Sequence, residues 1–587
     1  MLLSSVVLAL LPLATLASPL SSRSALYADC KTKHSWGGSV PSSLWKYHST
    51  PDPSTLLNLR LGLRPSKFDT LLGHLSETSD PFHERYGKHL SKAEVDELMR
   101  PEDETIQEVK EWLDWHGIED DAISTSSDRW VTITVPISLA ETMLNTTYHV
   151  YAHTETDETI VRTLEYSLPS HLHDHINLVS PTTYFGTTRG LKLTSFVKSS
   201  VAIPSLSNNV TPSSSCNRTI TPTCLQDLYN TAGYVPTEIK INRLGITGYL
   251  EQFASRADLA SFVEQFLPAA TNATFTLEEI NGGQNNQSDP GVEANLDVQY
   301  GTGMAWPTPM TFYSTGGSPP FIPDSFTPTN QNEPYLNWLE FMATVPDNEF
   351  PSTVSTSYAD DEQTVPADYA AEVCNMFATL GVRGASLIFG SGDAGVGSGN
   401  CLTNNGTNIV VFQPTFPASC PYVTVVGGTA HISPEVATTD FPSGGGFSTQ
   451  FPRPSYQSAV VSAFLKKLGS TNAGLFNPNG RAYPDVAAQA QDFQVVVGGE
   501  VVSVDGTSCA TPTFAGVIAL LNDFKLAKDG KTLGFLNPLL YAHPSALNDI
   551  TIGTNEGCGT NGFSAGVGWD PVTGLGTPDF VKLQAIV

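Results

Sequence analysis

From residue 216 to the C-terminus the chain alternates short β-branched apolar runs with helix-like segments, and this alternation most narrows the folds open to it. STVSTSYA is followed by ADYAAEVCNMFATLG, then by ASLIFG, and later by YVTVVGG. Strands without a polar face must be covered on both sides, so the pattern predicts an α/β fold, a parallel sheet with helices on both faces. Gly381 is expected to close the helix before ASLIFG, because glycine tolerates the left-handed conformation found at helix ends. Polar groups just beyond the carboxyl ends of parallel strands face the ligand crevice. Ser391-Gly392-Asp393 follows ASLIFG at such a place.

The chain has 587 residues, several times the roughly 150 of one ordinary domain, so more than one packed unit is expected. Residues 18–193 mix strand-like segments such as RWVTITVPI with the acidic amphipathic stretch KAEVDELMRPEDETIQEVKEWLDWHGI, which predicts an α+β unit. Residues 194–215 are rich in Ser, Pro and Asn and lack periodicity; they predict an exposed linker open to proteolysis. Residues 216–587 form the larger unit, and no internal repeat is found. Residues 1–17 read as a secretory signal peptide, although no Lys or Arg precedes their apolar stretch. No later segment approaches the run of apolar residues that a membrane span needs, so a soluble, exported protein is expected. Six Asn-x-Ser/Thr sequons, at Asn145, Asn209, Asn217, Asn272, Asn286 and Asn405, agree with that route.

Thirty Lys+Arg stand against 58 Asp+Glu, a formal charge of -28, which argues against nucleic acid or anionic lipid as partner. The excess is concentrated after residue 200, where 13 basic residues face 33 acidic ones. Such a surface repels itself at neutral pH and relaxes near about pH 4, as carboxylates protonate. Eleven of the 13 histidines precede residue 200, leaving only His431 and His543 for any imidazole chemistry in the larger unit. The eight cysteines include no CxxC pair. Cys216 and Cys224 are close enough to close a short loop, and Cys401 with Cys420 or Cys558 suits a second bridge. Cys374 and Cys509 are expected as unpaired, buried thiols.

In VDGTSCATPTFAGVIALL, a Gly-x-Ser turn before a long apolar helix exposes the Ser508 hydroxyl beside the helix's unpaired N–H groups and positive dipole end. That setting suits a nucleophile with half an oxyanion hole. GTSxxxP resembles the nucleophile segment of subtilisin-like serine peptidases, yet neither late histidine is placed like their base. In DPGVEANLDVQY, Glu293 and Asp297 are spaced i, i+4 and share one helix face. Two carboxyls so close share a proton, and the pair can act as a base in acid. Asp393, in FGSGDAGVG, can donate a hydrogen bond to a developing oxyanion only while protonated.

With these segments the chain resembles the sedolisins, the serine-carboxyl peptidases of subtilisin-like fold. SDPFHERYGKHLS resembles that family's activation domain; SYADDEQTVP, FQPTFPASCPYVTVVGGT, SGGGFSTQFPRPSYQ, RAYPDVAAQA and GWDPVTGLGTP resemble its catalytic domain. The resemblance implies Ser508 as nucleophile, Glu293 as general base and later acid, Asp297 as its tuning partner and Asp393 as oxyanion stabiliser. LNDITIG and SAGVGWDP resemble the family's calcium site, which implies one structural Ca2+ held by Asp549 and Asp570 and by the carbonyls of Ile550, Gly566 and Gly568. It implies peptide and protein substrates and a pro-domain that inhibits intramolecularly until acid removes it; a monomer is expected. The clustered histidines suggest a trigger for that removal, with His171, His173 and His175 as the test positions.

CNRTITPTCLQDLYNTAGY resembles the secreted fungal tripeptidyl-peptidases, which favours release of tripeptides from free N-termini; an acid endopeptidase of the same family is the alternative. Asp360 and Asp361, in SYADDEQ, are conceivable partners for a substrate ammonium. A glycoside hydrolase is poorly supported, since i, i+4 carboxyls do not face each other across a sugar. A binding protein that merely retains the fold is disfavoured by the intact set of four chemical residues.

Overall fold

A computed structural model of the chain describes residues 26–587 except 38–39, 41–44, 120–121, 128, 155–158, 184, 186–195, 201–215, 323, 325–326 and 328–329. The expected signal peptide and most of the expected linker lie outside the described residues. The N-terminal unit contains β1 (Leu56–Leu63), α1 (Phe68–Ser79), α2 (Lys92–Met99), α3 (Asp103–Trp115), β2 (Ile123–Ser127), β3 (Trp130–Pro136) and β4 (Ile176–Ser180). The strands form an antiparallel sheet in the order β2-β3-β1-β4. Leu59, Leu61, Ile133 and Val135 pack from it onto Trp112 and Leu113 of α3. The acidic stretch is two helices, because Pro101 biases Arg100 to an extended backbone and stops α2. Ser91 and Glu94 cap the start of α2 reciprocally.

Residues 196–200 depart from the expected tether. They form β5 (Phe196–Ser200), antiparallel to residues 502–505, so this part of the segment is paired backbone.

The larger unit continues with β6 (Leu244–Gly248), β7 (Phe275–Ile280), α4 (Val292–Ala305), β8 (Met310–Thr315), α5 (Tyr335–Thr344), β9 (Thr353–Thr356), α6 (Ala367–Val382) and β10 (Ser386–Gly390). Then come β11 (Thr424–Ala430), β12 (Val436–Ala437), β13 (Val486–Gln489), β14 (Phe493–Val497), β15 (Glu500–Asp505) and α7 (Thr507–Asp529). Strands β7-β8-β6-β9-β10-β11-β13 are parallel, and the short β12 runs antiparallel to the end of β11. Alternate residues divide between two cores: Ile246, Ile388 and Val426 face α4 and α7, whereas Leu387, Phe389 and Val425 face α5 and α6. Helices thus cover both faces, as the doubly apolar strands require.

Two local expectations are corrected. Helix α6 runs through Gly381, and the left-handed residue after it is Gly384, at φ +100. A Cβ at Gly381 would sit 3.2 Å from Leu75 and 3.4 Å from Phe535, so that glycine serves close packing within the helix. Cys374 is not a free thiol but pairs with Cys420; Cys216 pairs with Cys224 and Cys401 with Cys558. Cys509 is free and buried, as expected.

The two units share a small core in which Leu71, Leu75, Leu90, Val95 and Met99 meet Ala378, Val382 and Phe535. Around it, Arg60 pairs with Glu340 and Arg129 with Glu372, each at 2.5 Å; Arg129 and Glu372 are both buried. Asn177 adds a bond to Glu372, and the Lys92 N–H donates to Asp347 at 3.0 Å.

Candidate active site

The carboxyl ends of β9 and β10, the start of α7 and the start of α4 meet in one place. Gly506, at φ +145, turns the chain from β15 into α7 through a conformation that side-chain-bearing residues avoid. Thr507 and Ser508 follow in the first helical turn, where backbone N–H groups have no intrahelical acceptor. Pro512 stands four residues after Ser508, so the usual i to i-4 bond to the Ser508 carbonyl has no donor. That carbonyl instead lies 3.4 Å from the Ser357 hydroxyl, just beyond β9. The Ser508 hydroxyl lies 3.3 Å from the Ser357 carbonyl.

Helix α4 carries Glu293 in its first turn and Asp297 one turn later, both fully buried. Asp297 Oδ1 accepts from the Ser357 hydroxyl at 2.6 Å. Burial drives the Asp297 carboxyl well above the usual range, the neighbouring Glu293 pushes it further, and the Ser357 bond opposes both. No Lys or Arg acts among these causes on Asp297, so no cation offsets the effect of burial and of Glu293.

Asp393 stands beyond β10, where the strand-end argument placed it. Its Oδ1 accepts the Thr507 N–H at 2.7 Å, while Oδ2 is buried without a hydrogen-bond partner among the described residues. Burial raises this carboxyl to about 7, against the pull of the Thr507 donors. Below that pH Asp393 is neutral and, with Oδ1 occupied as an acceptor, its proton belongs on Oδ2. The Cys509 thiol, next to Ser508, is pushed up by burial and by Asp505, Glu293, Asp393 and Asp297 together, which places all three predicted acids around residues 508–509.

The sequence reading missed Ser357 and Thr507. Ser357 follows β9 as Ser391 follows β10, so the same strand-end rule identifies it. His431 and His543 lie elsewhere: the former offers its carbonyl to Gln489, and the ring of the latter packs at a tilt against Phe82 of the N-terminal unit, centroids 5.5 Å apart. His171, His173 and His175 are half-buried and contact their own unit, at Glu108, the Lys31 carbonyl and Thr105 respectively. Asp360 and Asp361 are buried in a short strand paired with Thr415 and Phe416.

A second cluster lies near the C-terminus. Asp549 accepts the Gly568 N–H at 2.8 Å, and Asp570 accepts the N–H groups of Gly566, Val572 and Thr573. Thr573 also bonds the Ile550 carbonyl, which ties the five expected calcium ligands into one loop system. Among the described residues no group of three or more His, Cys, Asp or Glu converges as a metal site, so a cation here would depend on main-chain oxygens. The oxygen set fits a hard cation: Asp570 is buried, which raises its carboxyl, and Gly568, at φ +86, lets the backbone curl inward, while the Lys467 ammonium stands against Gly566, 2.7 Å from where a Cβ there would lie.

Residues 43–185 match the family model described as Pro-kumamolisin, activation domain. Tripeptidyl-peptidase SED2 of Arthroderma otae is 39% identical over 563 residues, 92% of this chain and 94% of that protein. Tripeptidyl-peptidase SED4 of the same organism is 40% identical over 600 residues, 98% and 97% of the two chains. The probable tripeptidyl-peptidase SED2 of Arthroderma benhamiae is 40% identical over 566 residues, again 92% and 94%. Among solved structures, Pseudomonas sedolisin (serine-carboxyl proteinase) complexed with two molecules of pseudo-iodotyrostatin is 22% identical, with a TM-score of 0.48, spanning 63% of this chain and 98% of its own. The activation-domain match and the kinship along both parts of the chain lead to one assignment: this chain belongs to the sedolisin family.

Proposed function

We propose that the protein is a secreted serine-carboxyl peptidase that works in acid and releases tripeptides from free N-termini. The observation that carries this reading is the nucleophile's setting, a serine at a helix start surrounded by buried carboxyls. Ser508 Oγ attacks the scissile carbonyl as Glu293 accepts its proton, and Asp297 shares the charge of the pair. The oxyanion is held by the proton on Asp393 Oδ2 and by the Ser508 N–H. The C–N bond then breaks as Glu293 returns the proton to the leaving amine. Water, deprotonated by Glu293, attacks the acyl-enzyme, the acid leaves, and Ser508 recovers its proton.

The names of the curated relatives support the exopeptidase over the endopeptidase. Comparing a free with an N-acetylated peptide tests the specificity: blocking should abolish tripeptide release and would spare an endopeptidase. Export rests on the signal-like residues 1–17; among the described residues no helix is long and apolar enough to cross a membrane. Of the sequons, Asn145, Asn217, Asn272, Asn286 and Asn405 are exposed.

The proposed domains are a signal at 1–17, a pro-domain at 18–193, a processed segment at 194–215 and a catalytic domain at 216–587. The proposed oligomeric state is a monomer. Asp549, Asp570 and the carbonyls of Ile550, Gly566 and Gly568 would hold Ca2+, which supplies positive charge to a buried carboxylate and fixes the C-terminal loops. Its role is structural and separate from the acyl-transfer steps.

A further inference from the structure

We infer that Ser357 is the positioning residue that sets where the Glu293–Asp297 pair begins to act as a base. The inference rests on the proposed function of that pair. Three contacts converge on this one residue: its hydroxyl donates to Asp297 Oδ1 at 2.6 Å, the same hydroxyl lies 3.4 Å from the Ser508 carbonyl that Pro512 leaves without a helical donor, and its own carbonyl faces the Ser508 hydroxyl at 3.3 Å. A hydroxyl has one hydrogen, and the shorter distance assigns it to Asp297. Oδ1 is therefore an acceptor, and the shared proton of the pair is confined to Asp297 Oδ2 and Glu293. The other titratable groups facing the pair are Tyr358, on the same loop as Ser357, and Cys509 on α7, with Asp393 and Asp505 beyond the thiol. None of these groups is cationic, and the Ser357 donor acts directly on the ionised form of Asp297.

Removing that donor makes the ionised pair harder to form, so the acid limb of the pH–rate profile moves up. A hydrogen bond to a charged group is strong enough for a shift of about one pH unit. The test compares the full chain, matured in acid, with Ser357→Ala, Ser357→Cys and Ser357→Thr. Ser357→Ala should lower kcat about tenfold, leave KM unchanged and raise the acid limb by about one unit. Thr should restore the limb, and Cys, a weak donor, should give a smaller shift in the same direction. If Ala does not fold, the Cys shift decides. An acid limb that stays in place in the folded Ala or Cys variant overturns the inference, whatever happens to kcat. A wild-type chain without peptidase activity would instead overturn the proposed function.

A separate observation at the unit interface carries a second inference: His89 is an acid-released latch between the pro-domain and the catalytic domain. Its ring lies in a slot lined by Gly384 and Gly534, where an added Cβ would come within 2.9 Å and 2.3 Å of the imidazole. Nε2 meets the Thr532 carbonyl at 2.9 Å and therefore carries the ring's proton. Nδ1 is buried without a hydrogen-bond partner among the described residues. A second proton must go to Nδ1, where it finds no acceptor. Lys525 of α7 and Lys531 beside Thr532 both act against a charged ring. Asp529 is paired with Lys525 at 3.1 Å, Arg383 with Asp347 at 2.9 Å, and the Tyr86 ring lies under Lys525.

Burial lowers the docked His89 below its ordinary value. Docking is therefore undiminished above the free imidazole's pKa of about 6.5 and weakens as pH falls toward the docked value, up to about tenfold per unit. The test uses the full chain with Ser508→Ala, which does not depend on peptidase activity. Hydrogen exchange around residue 89, corrected for its intrinsic pH dependence, is read from pH 7 to pH 4. Protection should be lost in acid; His89→Gln should retain it at least about one pH unit lower, and His89→Lys should lose it already at pH 7. If Gln fails to seat at pH 7, Lys531→Gln should still move the loss to lower pH. Wild type and the docked variants losing protection at one common pH would overturn the latch.

Discussion

At the scale of single residues, function depends on protons being where burial and hydrogen bonds put them. Asp393 illustrates this, because its value of about 7 makes it a donor in acid and an acceptor above neutrality. The alkaline limb of activity should therefore fall through about pH 7. Asp393→Ala should cost roughly 100-fold to 1000-fold in kcat, the range for a lost oxyanion donor. Asp393→Asn retains an N–H at every pH, so its residual activity should persist through the wild-type limb; kcat measured between pH 5 and 9 checks both. The four candidate residues could be singled out because each occupies a position with a physical signature, a helix start, a strand end or one face of a helix, and the fold brings them together. Ser357 was harder to find, because a serine after a strand acquires meaning only when the fold brings α4 and α7 against it.

At the scale of elements, the doubly apolar strands were enough to read a parallel sheet covered on both faces. Helix ends and cysteine pairs were not. Gly381 looked like a terminator because local sequence cannot distinguish a glycine that ends a helix from one that admits a neighbouring side chain. Cys374 looked solitary because its partner, Cys420, is 46 residues away and becomes adjacent only through the sheet. Helices α4 and α7 approach each other closely, and a Cβ on Gly516 would lie 2.3 Å from Met304 Cβ. Gly516→Ala should therefore destabilise the chain by about 1–3 kcal/mol through overpacking, despite alanine's better helix propensity. Denaturant unfolding of the Ser508→Ala chain reads this; a neutral or stabilising result would show that the two helices can separate freely.

At the scale of the whole molecule, the N-terminal unit is held by a shared apolar core and by buried ions. Glu372→Gln removes one side of a pair whose two side chains are only 8% and 2% exposed, leaving the Arg129 charge without its hydrogen-bonded carboxylate and with only the electrostatic pull of Glu340, which Arg60 already pairs. The full-length Ser508→Ala chain should lose about 3–5 kcal/mol of docked stability. The matured enzyme, without Arg129, should be little changed. Calcium is tested at the same scale. Chelation should lower the melting temperature of the matured enzyme, readdition of Ca2+ should restore it, and Asp570→Ala should abolish the difference. The strand at 196–200 shows the limit of reading a linker from composition. Its Ser-rich sequence has no periodicity, yet the edge offered by β15 supplies the missing partner.

The most direct measurement is the pH dependence of kcat/KM for an unblocked peptide, with Ser508→Ala as the control. It predicts activity in acid that rises through the ionisation of the Glu293–Asp297 pair, falls through about pH 7 and disappears in the Ser508→Ala chain. A kcat/KM that stayed constant from about pH 4 to about pH 8, or cleavage that survived loss of the Ser508 hydroxyl, would contradict it.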